Sequence, residues 1–237
     1  MSEVPDSIKQ AVSEGRAIKI IAYYMGEKIE SNLKKILDEI LSKYNKKEFM
    51  ETLYTAIKEL AINATKANMK QMIFDENEWD INNEDDYEKG MKLFKERLTE
   101  KWVAAYAHKC KAADVSVKIT FFHDANGLRV VIKNNIPIAD ADETRIRQKL
   151  GKVMQYEDLV QFYMENADET EGQGLGIGLI VMMLKGENLD PHLFRIGIID
   201  KNTTARIEIP FSDKFVSTRE RKLMEQAQKQ KQEEINQ

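Results

Sequence analysis

The chain has 237 residues, 42% hydrophobic and 32% charged, with a formal net charge of −4; that supplies a core and gives no electrostatic reason to expect a nucleic-acid partner. One cysteine, Cys110, permits no intrachain disulfide, and the three histidines, His108, His123 and His192, show no metal-ligand spacing, so a zinc site is not expected. The start, MSEVPDSIKQ, has no basic-then-apolar leader pattern, and the apolar stretch LIVMML at 179–184 is too short to span a bilayer, so no membrane association is expected and a cytoplasmic location is.

Residues 8–45 read as helical. Ile18, Ala22, Met25, Ile29, Leu33, Ile36, Ile40 and Tyr44 recur at steps of three and four, with Gly26 marking a bend. That stripe packs either on the rest of the chain or on a second copy, as a dimer stem. A second helix is expected over about 47–72, an acidic loop over 75–87, and a third helix over about 88–112, where Met91, Phe94, Leu98, Trp102 and Tyr106 keep helical register. The period then drops to two at Val115, Val117, Ile119 and Phe121, a half-buried strand. Asn126-Gly127 suits a hairpin turn with positive φ, and Leu128 to Lys133 is the returning strand. After Pro137 the chain turns polar, and a helical stretch at about 155–166 leads to a glycine-rich loop. Leu175 to Lys185 reads as a helix, 193–200 and 204–210 as a second hairpin, and the chain from 212 as a charged, glutamine-rich tail. This order predicts an α+β sandwich: a mixed, mainly antiparallel sheet with helices on one face.

Two segments carry chemistry. In ELAINATKA at 59–67, Glu59, Asn63 and Lys66 share a helical face. In EGQGLGIGL at 171–179, glycines alternate with other residues before an apolar helix, which presents free backbone N–H groups to a phosphate. No Gly-Lys-Ser/Thr follows, so this is not the P-loop of strand–loop–helix NTPases, and no strand precedes it, as a dinucleotide fold requires. The alternative is a glycine-rich packing element, and for the helix segment a solvated polar flank.

Taken together and in order, the Glu-Leu-x-x-Asn-Ala-x-Lys-Ala helix, the strand pair, a loop of lid length and Gly-x-Gly-Leu-Gly-Ile resemble the GHKL superfamily of ATPases, nearest the ATPase domain of histidine kinases and anti-sigma-factor kinases. The resemblance covers about 47–211 and implies a Bergerat-type two-layer fold. It divides the chain into an N-terminal helical extension (1–46), an ATPase-like unit (47–211) with a helical insertion at about 69–113, and a charged tail (212–237). It implies that Asn63 coordinates Mg²⁺ on bound ATP, that Glu59 is the catalytic carboxylate, and that Lys66 lies near the phosphates. Gly172, Gly174, Leu175 and Gly176 match the loop over the triphosphate. Residues 139–171 match the lid, with Arg145, Arg147 and Lys149 as phosphate contacts. The second family box, Asp-x-Gly-x-Gly, is rewritten: Asn134 replaces the Asp that accepts the adenine amino proton, and Ile136 and Ile138 replace both glycines. No histidine precedes His108, so the N-terminal segment holds no phosphoacceptor histidine. The expected function is a Mg-ATP-binding ATPase or protein kinase of signal transduction acting on a separate protein partner. The alternative is a non-catalytic module that keeps the fold and works through protein contacts.

Overall fold

The structure, a computed structural model, describes residues 4–136, 138, 140–165, 175–200 and 202–235. Alternation of apolar and polar residues produces five strands: β1 (Ile18–Ala22), β2 (Val117–His123), β3 (Gly127–Asn134), β4 (Phe194–Ile199) and β5 (Asn202–Pro210), in the order β1-β2-β3-β5-β4. Because successive side chains point to opposite faces, one face gathers Ile20, Ile119, Val130, Ile132, Ala205 and Ile207 into the core. The other face carries the polar members of each strand.

Helices cover the apolar face. α2 (Glu27–Lys43) and α3 (Met50–Glu76) bury Leu33, Leu37, Ile40, Leu53 and Ile57 against it, and α8 (Leu175–Gly186) adds Ile180 and Val181. At 27 residues α3 is about 40 Å long, longer than the sheet it crosses. Its C-terminal half, through Met69, Met72 and Ile73, builds a second cluster with α4 (Glu84–Arg97) and α5 (Glu100–Ala112). Cys110 is fully buried in that cluster, where burial pushes its thiol up to about 11. The short α1 (Asp6–Ser13) adds Val12 to the main core. α6 (Asp140–Val153) and α7 (Leu159–Glu165) precede α8, and α9 (Thr218–Ile235) follows the last strand.

The sheet departs from the expected mixed one. Every pairing among the described strands is antiparallel. β4 runs parallel to β3, but β5 lies between them, so no parallel ladder forms. The α+β class is as expected; α2, α3 and α8 cover one face, but the start of α9 lies beside the other, which departs from helices on one face alone.

The run at 8–45 is not one helix. β1 interrupts it, with the burial pattern of a half-exposed strand, and Gly26 is the N-cap of α2 rather than a bend. Ile18 and Ala22 are four apart and satisfy either period, which is why the pattern misled. Leu33, Ile36 and Ile40 of the apolar stripe are covered within the chain. The helix at 88–112 is also two helices: Thr99 caps α5 by accepting from the Trp102 N–H, while the apolar register runs on across the break. The first hairpin forms without positive φ at Asn126, because the Asp124 carboxylate accepts from the N–H groups of Asn126 and Gly127 instead. Of the expected lid, Val153, Tyr156 and Phe162 are buried in the main core.

Candidate functional site

A cavity of about 530 Å³ opens where α3 passes from the main core to the second cluster. Its position follows from the helix: Leu60 and Ala61 still pack inward, while Glu59, Asn63 and Lys66 are half-buried beside them. All three line the cavity, as does Asn134 from the end of β3. Gly176 from the first turn of α8 closes the same wall. Gly172 and Gly174 lie outside the described residues, as does the side chain of Leu175.

The side chains are ordered by one another. The Asn63 Nδ2 donates to Glu59 Oε1 at 2.9 Å, one helical turn away. This turns the Asn63 carbonyl oxygen away from Glu59 and leaves Glu59 Oε2 outside that bond. Gly176 is in close approach: a Cβ there would lie 1.8 Å from Glu59 Oε1. Asn134 is 3% exposed, and its Nδ2 donates to Asn68 Oδ1 at 3.1 Å. Its own amide oxygen is therefore the acceptor it presents at the cavity end. Asn134 stands opposite Thr203 of β5, whose hydroxyl donates to the Ile136 carbonyl at 3.0 Å and which also lines the cavity. Ile136 and Ile138 form part of the apolar wall with Ile132, Ile196 and Ala205.

The opposite wall is ionic. Lys70 forms an ion pair with Asp142 of α6, whose other oxygen accepts from the Tyr87 hydroxyl at 3.2 Å. Arg145 reaches the same Tyr87 oxygen at 3.1 Å and Asp142 at 3.4 Å. That contact with Tyr87 pushes the guanidinium above its ordinary value, against the effect of burial. Lys149 lines the cavity too, whereas Arg147 points to solvent and pairs with Glu143 on its own helix. Four basic side chains, Lys66, Lys70, Arg145 and Lys149, thus face two carboxylates, Glu59 and Asp142. The excess is positive, although the chain as a whole is negative.

The sequence reading missed Asn68, Lys70, Tyr87, Asp142 and Thr203. Lys70 is one turn beyond Lys66 and was within reach of the same spacing argument. Asn68 is five residues from Asn63 and falls off that face. Tyr87 and Asp142 come from segments read as loop and lid, which only the tertiary fold brings together.

No protein-family model matches the chain, and no solved structure matches it. A curated relative, an uncharacterized protein of Treponema pallidum (strain Nichols), is 27% identical over 205 residues, covering 86% of this chain and 40% of the relative. The chain therefore spans well under half the length of that relative. No described helix is long and apolar enough to cross a membrane, and no cluster of three or more His, Cys, Asp or Glu side chains that could hold a metal occurs among the described residues.

Proposed function

We propose that the cavity binds a magnesium–nucleoside triphosphate, ATP by the GHKL resemblance, and that the protein is a histidine-kinase-like ATPase or kinase acting on a protein partner. The observation that carries this reading is the Glu59–Asn63 pair held against Gly176 in a positively charged cavity. The donor set fits Mg²⁺. This ion keeps several waters and takes few protein ligands, usually carboxylates, beside phosphate oxygens; the Asn63 carboxamide oxygen, with Glu59 one turn away, would be its protein contact. Asn63 has that oxygen free of Glu59. When bound, the metal would supply charge neutralisation between the phosphates.

The chain's own residues supply the rest. Lys66, Arg145 and Lys149 bring positive charge to the side where a triphosphate would lie. The first turn of α8, which lines the cavity at Gly176 and Ile177, brings the positive end of the helix dipole to it. Glu59 Oε2 takes a proton from the attacking hydroxyl or water while Asn63 fixes the carboxylate through Oε1. Phosphoryl transfer asks mainly for positioning and charge neutralisation. At the base end, Ile132, Ile136 and Ala205 supply apolar wall, and the Asn134 amide oxygen accepts the adenine amino proton. That bond lacks the charge of an Asp and is weaker.

A second reading has its own observation. Asn134 is already committed to Asn68, and Ile136 and Ile138 occupy space that glycines would leave open. A non-catalytic module that keeps this fold for protein contacts would tolerate both. Mg-ATP titration followed by thermal unfolding separates the two. Ligand at 100 times its dissociation constant stabilises by about 2.7 kcal/mol. The expected outcome is a clear upward shift in the wild type that Asn63→Ala abolishes. No shift at millimolar Mg-ATP would overturn the first reading.

A further inference from the structure

We propose that the face of the sheet turned away from the cavity binds single-stranded nucleic acid. This site is separate from the proposed nucleotide cavity and stands whether or not that cavity takes ATP. The alternation of each strand sends Lys19 (β1), Lys118 (β2), Arg129 and Lys133 (β3), Arg195 (β4) and Arg206 (β5) to one surface. They line a groove of about 1030 Å³, and α9 contributes Arg219 and Lys222 along it. No acidic side chain lines the groove among the described residues. Glu208, on the same sheet face, is 1% exposed and already engaged: it pairs with Arg206 at 3.1 Å and accepts from the Thr218 N–H and hydroxyl.

The placement of these charges is costly to the fold. Lys118 stands directly opposite Lys133, and Arg195 directly opposite Arg206, whose charge Glu208 partly offsets. Like charges at opposed positions of an antiparallel pair destabilise it, and an alternating polar face gains nothing from them by itself. Burial, and then the charge of Arg221, pulls the Arg129 guanidinium below its ordinary value. A polyanion lying across the strands would relieve this repulsion. The groove also offers a stacking surface. Phe122 is 38% exposed, with the Arg129 guanidinium 4.7 Å from its ring centroid. Val131, opposite Thr120, lies diagonally from it on the next strand. A cationic track with an aromatic platform is what unpaired bases and their phosphates require. The charges lie in a concave channel walled by α9, which a thin, flexible strand enters and a flat lipid surface does not.

The test is fluorescence anisotropy of labelled oligo-dT and oligo-U, long enough to cross the sheet, over a salt series. Binding at low salt is expected, with log affinity falling linearly against log salt. Phe122→Ala should weaken it roughly 5- to 150-fold, the range for losing one stacked base. The Lys118→Gln, Lys133→Gln double variant should weaken it at least tenfold and melt no lower than the wild type, since it removes an opposed like-charge pair. If that variant melts lower, Arg195→Gln alone decides by the same affinity criterion. The proposal is overturned by absence of binding at low salt, or by affinity unchanged in these variants. It is equally overturned if duplex DNA, polyglutamate or vesicles of anionic phospholipid compete as well as oligo-dT at equal charge.

Discussion

Gly176 has its meaning fixed by a single distance. A methyl there would overlap the Glu59 carboxylate, 1.8 Å from Oε1 and 2.4 Å from Cδ. The obstructing atoms are the far end of a flexible side chain, so the carboxylate swings away at little cost to the fold. The hydrogen bond to Asn63 is then broken, and the amide proposed above to hold Mg²⁺ loses its orientation. Gly176→Ala should therefore keep the melting temperature within a few degrees of wild type while reducing the Mg-ATP thermal shift by at least half. A large drop in melting temperature with the ligand shift intact would instead make Gly176 a packing glycine. At this scale the sequence was informative: Glu59, Asn63 and Lys66 do line one cavity with Asn134 and Gly176. The spacing of one turn is a local property, readable without the fold. The ties of Asn134 to Asn68 and of Lys70 to Asp142 cross 66 and 72 residues of chain, and no local pattern records them.

Elements were legible where only one period fitted the residues. α3, β2 and β3 meet this condition, whereas α8 is apolar all round and is told from a strand by its length. β1 does not, and a five-residue strand of mostly apolar residues beside a long helix was absorbed into it. The basic sheet face was hidden for a related reason. Lys118, Thr120 and Phe122 look like an ordinary solvated edge along the chain, and only the ladder order sets them beside Lys133, Arg129 and Arg206. Net charge averages over both faces and reports neither. The placement of α2 leads to its own expectation. Ile40 is fully buried within the chain, so Ile40→Ala should cost about 2–5 kcal/mol in urea unfolding. The midpoint should also be independent of protein concentration, because the stripe is covered by its own sheet. A concentration-dependent midpoint would mean that a second copy contributes to the folded state.

Across the whole molecule, one junction ties the first long helix, the central sheet and the chain after the last strand. His123 ends β2 at 6% exposed, with its Nδ1 3.0 Å from the Tyr44 hydroxyl at the C-cap of α2. Tyr44 in turn packs on Phe211, ring centroids 5.4 Å apart. Burial, and then the charge of Lys43, lowers the His123 pKa from its ordinary 6.5. The unfolded chain, titrating near 6.5, thus binds a proton that the folded chain refuses until the pH is lower. Stability from this group is fully present above 6.5. It falls as the pH drops below 6.5 and is gone once the pH passes the lowered folded value. Urea unfolding free energies of the wild type should therefore decline between pH 7 and pH 5, ahead of the carboxylate range. His123→Gln, which keeps a polar partner for Tyr44 but does not titrate, should be less stable at pH 7 and flat across that interval. A wild-type profile as flat as the variant's would mean that His123 opens to solvent and protonates without disturbing the junction.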